Sequence, residues 1–314
     1  MTPSISLILL TYNGGPLLAA TLNAIASQSL EHAGQPLPSP EIIAIDSGST
    51  DGTLDLLRQH GITPHIIPHE EFGHGRTRNL GASLAHGQWL VYLSQDAVPA
   101  SPLWLSRLTR HLADPGVAAA FGRQLPPAGL GPIETFFLEQ TYPPRASTHS
   151  PTGQAAGRAS IRRIFFSNVN AAIQKSAWQQ CPFPTDVLMS EDQAFAQAVA
   201  RAGYSLVYDP DAAVIHGHRY SLSQLFRRNF DSGYSLREIA GDGWGAVARL
   251  GLAYVSAEMR WLARRRQWAY IPYALLYELV KSAGFAAGRS GRRLPLPVRR
   301  RLSLHRDYWL THNE

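Results

Sequence analysis

Polar clusters that contain carboxylates follow apolar runs at several points of this 314-residue chain. The run from Trp89 to Leu93 stops at Ser94-Gln95-Asp96, and Pro99 prevents it from continuing as a paired strand. An earlier run stops at Asp46, and the first one stops at Thr11-Tyr12-Asn13. In open α/β sheets, ligands bind at the carboxyl ends of the strands. These clusters are therefore candidates for binding and catalysis at one edge of a sheet.

Two more groups that can do chemistry lie further along the chain. Glu191 and Asp192 open a helical segment behind Ser190, a residue type that caps helix N-termini. His216-Gly217-His218 follows a short apolar run. An aspartate can act as a general base, and an imidazole can bind a metal ion or a phosphate. The structural alternatives are two acids at the positive end of a helix dipole and a histidine buried in the core.

Alternating strands and helices position these groups. The hydrophobic pattern predicts strands at 5–10, 41–45, 65–68, 89–96 and 204–208, with helices at 17–27, 53–60 and 190–202. This alternation predicts an α/β fold with a Rossmann-like, mostly parallel central sheet flanked by helices. The first strand is not followed by Gly-x-Gly-x-x-Gly, and the sequence holds no Walker A motif, which argues against nicotinamide enzymes and P-loop NTPases. A Pro-, Ser- and Gly-rich stretch at 142–163 predicts a mobile loop over a site.

The charge of the chain is unevenly distributed. The net charge is +6, but residues 260–306 hold eleven arginines and one lysine against a single acid, Glu278. A basic segment indicates an anionic partner, and without a recognised nucleic-acid motif we expect no nucleic acid. Aromatic residues among the arginines leave two interpretations, a solvated basic helix packed on the domain or contact with a membrane surface. We predict a catalytic domain at 1–222 and a basic helical C-terminal extension at 223–314.

Cysteine usage and the N-terminus bear on location. Cys181 is the single cysteine, so an internal disulfide is excluded and a reducing compartment fits. The first residues lack a basic segment before an apolar one, so no secretory signal is expected. Glu278 and Lys281 interrupt the apolar part of the tail, which makes it a poor spanning helix. We therefore expect a cytoplasmic protein, and peripheral contact with the cytoplasmic face of the inner membrane is one of the two interpretations of the tail.

The clusters, taken in this order, resemble family 2 glycosyltransferases with the GT-A fold, over roughly residues 4–220. The resemblance rests on Thr11-Tyr12-Asn13, Asp46-Ser47-Gly48-Ser49-Thr50-Asp51-Gly52-Thr53, Arg76-Thr77-Arg78-Asn79, Ser94-Gln95-Asp96 and Glu191-Asp192. Within that family, the chain is most similar to bacterial rhamnosyltransferases. This finer resemblance rests on Phe72-Gly73-His74-Gly75, Ser94-Gln95-Asp96-Ala97, Phe166-Ser167-Asn168 and His216-Gly217-His218-Arg219-Tyr220-Ser221.

The resemblance implies that a nucleotide sugar is bound at the strand ends. Asp46 would accept the imide N–H of uracil or thymine, while Thr11 and Tyr12 would flank the base. Arg78 and Arg76 would reach the base or the phosphates with a planar fork of donors. The alternative for Asp46 is a tight turn that caps a helix. The remaining nucleotide-binding candidates are Asn13, Ser47, Asn79 and Gln95.

The same resemblance implies a metal ion and a catalytic base. Asp96 would hold Mg²⁺ or Mn²⁺ at the diphosphate, because such ions prefer oxygen ligands. Ser94 stands where the wider family often has a first aspartate, so His216 or His218 becomes a candidate for a further ligand. Asp192 would be the general base of an inverting transfer, and Glu191 would support it.

The function implied is transfer of L-rhamnose from dTDP-rhamnose to a growing cell-surface polysaccharide or lipid-linked glycan. An alternative within the class is a UDP-hexose or UDP-N-acetylhexosamine donor, since thymine and uracil differ by one methyl group. A sugar nucleotidyltransferase is more remote, because Thr11-Tyr12-Asn13-Gly14 is not its Gly-rich phosphate loop. A non-catalytic glycan-binding protein would be expected to lack Asp46, Asp96 or Asp192, and all three are present.

Overall fold

The computed structural model describes residues 4–32, 35–36, 38–150, 158, 160–162 and 165–311. Its strands, in chain order, are β1 (Ile5–Thr11), β2 (Glu31–His32), β3 (Gln35–Pro36), β4 (Glu41–Asp46), β5 (His65–Ile66), β6 (Trp89–Ser94), β7 (Val98–Pro99), β8 (Val117–Leu125), β9 (Ser147–His149), β10 (Asn170–Gln174) and β11 (Ser205–Ile215). Its α-helices are α1 (Gly15–Ala26), α2 (Thr53–Gln59), α3 (His74–Leu84), α4 (Trp104–Thr109), α5 (Pro132–Thr141), α6 (Lys175–Gln180), α7 (Glu191–Arg201), α8 (Leu222–Ile239), α9 (Trp244–Arg264), α10 (Ile271–Arg289), α11 (Leu296–Leu302) and α12 (Tyr308–Thr311).

One large sheet carries the predicted α/β fold. Its strand order is β5-β4-β1-β6-β10-β8-β11-β7, with β9 added beside β11. Neighbours from β5 to β6 are parallel, β10 is antiparallel to β6 and β8, and β11 is again parallel to β8. The register sets Thr11 beside Asp46 and Leu10 beside Ser94. The first strands therefore end at one edge, as the sequence predicted, and their polar clusters meet there.

Apolar side chains alternate between the two faces of this sheet. Ile8 and Tyr92 belong to a core on one face, whereas Leu7 and Val91 belong to a core on the other. This is the period of two that a strand buried on both faces requires. Trp104 is fully buried, and its Nε1 donates to Asn170 Oδ1 at 2.8 Å, which makes it a core residue rather than a platform for a sugar.

The C-terminal extension is built on a close helix pair. A Cβ at Gly233 would lie 2.2 Å from the carbonyl oxygen of Phe285, and one at Gly288 would lie 2.0 Å from that of Phe230. Glycine therefore lets α8 and α10 approach at backbone distance. The side chain and backbone of Ser221 form a capping box with Gln224 where α8 begins. Within the described residues, every helix is too short or too polar to cross a membrane.

The stretch at 142–163 differs from the expected loop in the part that the structure describes. β9 lies inside it and pairs antiparallel with β11, since its backbone satisfies an otherwise unpaired edge. Residues 151–157, 159 and 163 of the predicted loop lie outside the described residues. The domain boundary after residue 222 stays a prediction.

Candidate functional site

A cavity of about 320 Å³ opens at the carboxyl ends of β1 and β6. Among the predicted site residues, it is lined by Thr11, Tyr12, Ser47, Arg78, Gln95 and Asp96. The other lining residues are Ile8, Leu10, His69, Phe72, His74, Tyr92, Leu93, Ser94 and Asn168. A larger cavity, of about 420 Å³, lies at the amino end of β6 around Trp89 and contains none of the predicted site residues. The chemistry is therefore concentrated at the smaller cavity.

Asp46 organises the loop between β4 and α2. Its buried Oδ1 accepts from the backbone N–H groups of Gly48 (3.0 Å) and Ser49 (2.8 Å). Its Oδ2 accepts from the hydroxyls of Ser49 (2.6 Å) and Thr11 (2.8 Å). Both oxygens are engaged within the protein and the side chain does not line the cavity, and contact of Asp46 with the base stays a prediction. Asp46 shapes the loop from beneath, and Ser47 is the residue of this pair that lines the cavity.

Gln95 fixes the backbone of Tyr12. Its Oε1 accepts from the Tyr12 N–H at 3.0 Å, and its Nε2 donates to the Tyr12 carbonyl at 3.0 Å. The Tyr12 side chain is 44% exposed, and its ring centroid lies 4.7 Å from that of His69. An exposed aromatic face at a strand end is a surface on which a nucleotide base can stack. His69 was not among the predicted site residues, and it lines the cavity as well as contacting this ring.

Asn13 links the two loops at this edge. Its φ of 45° lies in the left-handed region that few residues other than glycine adopt. Its N–H donates to Ser49 Oγ at 2.8 Å, and its Oδ1 accepts from the Thr50 N–H at 2.9 Å. The amide oxygen is thus used within the protein, and nucleotide binding by Asn13 stays a prediction.

The three predicted site residues on helix α3 have different surroundings. Arg78 lines the cavity and donates to Glu191 Oε1 at 2.7 Å, whereas Arg76 is exposed and does not line it. Asn79 Nδ2 donates to the Phe183 carbonyl at 2.7 Å, while Oδ1 accepts from Trp178 Nε1 at 2.9 Å. Asn79 therefore fastens α3 to α6 and to the segment that follows it, and its contact with the nucleotide stays a prediction.

The Glu191–Asp192 pair begins α7 next to Arg78. Burial raises the pKa of Glu191, but the charges of Arg78 and His74 and the hydrogen bonds to the carboxylate together hold that pKa below its usual value. Burial and the neighbouring charge of Glu191 raise the pKa of Asp192 to about 7. The pKa values of two adjacent carboxyls are thus shifted in opposite directions. Glu191 is ionised at neutral pH, whereas Asp192 titrates close to neutral pH, as a general base does. Ser190 occupies the N-cap position at φ 70° without a capping hydrogen bond from its side chain, contrary to its predicted role.

Asp96, His216 and His218 converge beside the cavity. The Nε2 atoms of His216 and His218 each lie 3.5 Å from an oxygen of Asp96, and the ligand atoms all lie within 4.8 Å of one another. Burial raises the pKa of Asp96, but the hydrogen bond with His216 and the charges of His216 and His218 together leave that pKa below its usual value. Burial lowers the pKa of His218, which favours the neutral imidazole that can bind a metal ion. This donor set fits a divalent transition ion.

Supporting residues that sequence reasoning missed lie behind these groups. His216 Nδ1 lies 2.9 Å from Gln124 Oε1, and Gln124 Nε2 donates to the hydroxyls of Tyr142 and Ser167. Such a partner fixes the orientation of a ligand imidazole. Asn168 lines the cavity, is 2% exposed, and its side-chain amide makes no hydrogen bond of normal geometry. A buried free amide facing a cavity is suited to a ligand, and Phe166-Ser167-Asn168 was its signal in the sequence.

Comparison with known sequences gives matches along the whole chain. The profile described as glycosyl transferase family 2 matches residues 6–144. The O-antigen chain rhamnosyltransferase RfbN of Salmonella typhimurium is 31% identical over 310 residues, 97% of this chain and 96% of that protein. The O-antigen chain rhamnosyltransferase WbaN of Salmonella anatum is 30% identical over 311 residues, 98% of this chain and 96% of that protein. The similarity therefore includes the C-terminal extension.

Comparison with solved structures gives the same fold. A mannosyltransferase from Pyrobaculum calidifontis, described in complex with GDP-Man and Mn²⁺, aligns over 99% of this chain and 86% of that chain, with a TM-score of 0.58 and 21% identity. The 1–349 fragment of S. aureus TarS aligns over 92% of this chain and 91% of that chain, with a TM-score of 0.53 and 14% identity. At these identities the likeness concerns the fold, and it confirms the expected GT-A-like architecture.

Proposed function

This chain belongs to glycosyl transferase family 2, and from that premise we propose that it transfers L-rhamnose from dTDP-rhamnose to a growing cell-surface glycan on a lipid carrier. It is a nucleotide-sugar-dependent glycosyltransferase. The observation that carries the choice of rhamnose is the full-length similarity to two O-antigen chain rhamnosyltransferases. The geometry supports the chemistry, because a raised-pKa aspartate and a convergent donor set flank one cavity.

The proposed reaction inverts the anomeric carbon in one displacement. The acceptor hydroxyl gives its proton to the Asp192 carboxylate while its oxygen bonds to C1 of the sugar. The bond between C1 and the diphosphate oxygen breaks, and its electron pair leaves with dTDP. Arg78 helps to hold Glu191 ionised. Burial and the charge of Glu191 raise the pKa of Asp192 to about 7, where a base works best at neutral pH. Tyr12, held by Gln95, provides the face on which the thymine stacks.

We propose Mn²⁺ as the preferred ion over Mg²⁺. Asp96 offers one carboxylate, whereas His216 and His218 offer imidazole nitrogens. Mg²⁺ takes oxygen ligands almost exclusively, but first-row transition ions accept imidazole readily. When bound, the ion would supply Lewis-acid stabilisation of the charge on the departing diphosphate.

A donor screen tests the proposed substrate. With purified protein and a lipid-linked saccharide acceptor, we expect transfer from dTDP-rhamnose to exceed transfer from UDP-glucose and UDP-N-acetylglucosamine by at least about 100-fold in kcat/KM, a difference of about 2.8 kcal/mol. Mass spectrometry of the product would identify the added sugar. Transfer from a UDP-sugar but not from dTDP-rhamnose would replace the rhamnose assignment with the UDP-hexose alternative.

We further propose that the extension lies on the cytoplasmic face of a membrane that contains anionic lipids. Leu252 on α9, Trp268 in the turn between α9 and α10, and Leu279 on α10 are 70%, 60% and 66% exposed. Arg264-Arg265-Arg266 is exposed where α9 ends and Trp268 follows. Apolar side chains beside arginines are the composition of a surface that inserts shallowly and attracts anionic headgroups.

Vesicle co-sedimentation tests this surface. We expect the protein to bind phosphatidylglycerol vesicles, to bind phosphatidylcholine vesicles at least about tenfold more weakly, and to lose binding as salt rises. The double change Leu252→Ser and Leu279→Ser should weaken binding, whereas Ile66→Ser, at a 57% exposed apolar residue outside the extension, should not. Equal binding to both kinds of vesicle, or binding to neither, would contradict the proposal.

A further inference from the structure

Arg228 brings a positive charge from the extension to the catalytic site. It lies on α8, is exposed, and places its guanidinium 5.3 Å from the centroid of the Tyr220 ring. In the described part of the chain, its guanidinium makes no ion pair within 4.0 Å with a carboxylate. A stacked guanidinium without an acid partner is available to an anionic ligand.

On one side, Arg228 adjoins the candidate metal ligands. The Tyr220 ring, over which the guanidinium lies, is 5.9 Å from the ring of His218. His218 Nε2 in turn lies 3.5 Å from Asp96 Oδ2. The arginine therefore faces the part of the site where a diphosphate would meet the ion.

The extension also reaches the cavity wall through an imidazole pair. The ring of His305, from the turn after α11, lies 5.2 Å from the ring of His74 in an edge-to-face contact. Asp231 Oδ2 fixes that turn by accepting from the backbone N–H groups of Leu304 (2.9 Å) and His305 (3.1 Å). Burial is the main cause of the lowered pKa values of His74 and His305, and Arg228 contributes to both. The extension that carries Arg228 therefore borders the cavity directly, at the contact of His305 with His74.

We propose that Arg228 binds a diphosphate of the substrates and thereby completes the catalytic site from the C-terminal extension. This inference rests on the proposed function, in which a nucleotide diphosphate sugar and a lipid-linked acceptor both carry phosphate groups. The guanidinium fork of Arg228 matches two phosphate oxygens. The contact between α8 and α10 and the turn fixed by Asp231 hold the extension in place around this arginine. The ligand chemistry is a diphosphate, which either the donor or the lipid-linked acceptor can supply.

Binding of inorganic pyrophosphate to the full-length protein in the presence of Mn²⁺ tests the subsite without any choice of sugar. We expect Arg228→Ala to weaken binding about 10- to 100-fold, and Arg228→Lys to weaken it less, because lysine keeps the charge but not the fork. Arg249→Ala, at an exposed arginine of α9, is the matched control and should bind like the wild type. Calorimetry gives the affinities, and circular dichroism checks that each variant folds.

Two further arms identify the source of the diphosphate. If the donor supplies it, Arg228→Ala weakens dTDP binding by the same factor and dTMP binding much less. If the acceptor supplies it, dTDP binding is unchanged, while KM rises for a diphosphate-linked acceptor and not for the same saccharide without phosphate. Either result supports the subsite. Pyrophosphate affinity within about twofold of the wild type would overturn it, even if the enzyme proves to use a UDP-sugar.

Discussion

Replacing Asp192 with asparagine is expected to lower kcat by about 10²- to 10⁴-fold while dTDP binding stays within about twofold of the wild type. The amide keeps the size of the carboxyl but cannot accept the proton of the acceptor hydroxyl. Asp192 is not among the residues that line the cavity, so the nucleotide should bind normally. Initial rates of dTDP release give kcat, and calorimetric titration with dTDP gives the affinity.

The pH dependence separates a general base from a merely structural acid. Because the pKa of Asp192 is raised to about 7, the ionised base is depleted below that pH and predominates above it. The wild-type kcat should therefore rise about tenfold per pH unit on the acid side and level off above about pH 7. The residual activity of Asp192→Asn should lack this rise.

Asp186→Asn provides the matched control, since Asp186 is an exposed acid shortly before α7. It should retain both the wild-type rate and the wild-type pH profile. A normal turnover number for Asp192→Asn, or an acid limb that survives the change, would exclude Asp192 as the base. Another group would then have to take the proton.

The meeting of the strand ends could be predicted from the sequence for a simple physical reason. Parallel strands joined by helices run in one direction, so residues that terminate apolar runs are collected at one edge. Thr11, Asp46 and Ser94 obey this rule through the pairing register alone. The same reasoning placed Asp96 at the cavity, because it follows β6 directly.

The division of labour among those polar residues could not be predicted, since it depends on which hydrogen bonds the fold itself consumes. Both carboxylate oxygens of Asp46 accept hydrogen bonds from its own turn and from Thr11. The side-chain amide of Asn79 donates a hydrogen bond to the carbonyl of Phe183, which lies 104 positions away in the sequence. A sequence shows that a side chain can bind a ligand. It does not show that the side chain is already hydrogen-bonded to a backbone group from a distant part of the chain.

The contribution of the extension was hidden for a related reason. Its composition suggested a basic surface, and its arginines appeared equivalent in the sequence. Close packing of α10 at Gly233 and Gly288 holds α8, the helix that carries Arg228. Arg228 is thereby distinguished from the arginines of the exposed surface by tertiary contacts alone.

Replacing Asp96 with asparagine is expected to abolish ion-dependent transfer, the second large effect predicted for this site. Asp96 contributes the single carboxylate of the candidate set, and its lowered pKa keeps it ionised at neutral pH. Asparagine removes the negative charge but keeps the shape. In this variant, the Mn²⁺ affinity should fall by more than about tenfold and kcat/KM by about 100-fold or more. EDTA should abolish transfer by the wild type.

Asp211→Asn is the control for this prediction, because Asp211 carries an equal charge on β11 with a side chain that is 67% exposed. Titration of Mn²⁺ by electron paramagnetic resonance measures binding independently of turnover. If Asp96→Asn bound Mn²⁺ as tightly as Asp211→Asn, or if EDTA left wild-type transfer intact, the metal role of Asp96 would be refuted. His216 and His218 cannot substitute for the lost charge, because imidazole binds as a neutral ligand. The carboxylate at the end of β6 therefore decides whether this edge of the sheet holds an ion at all.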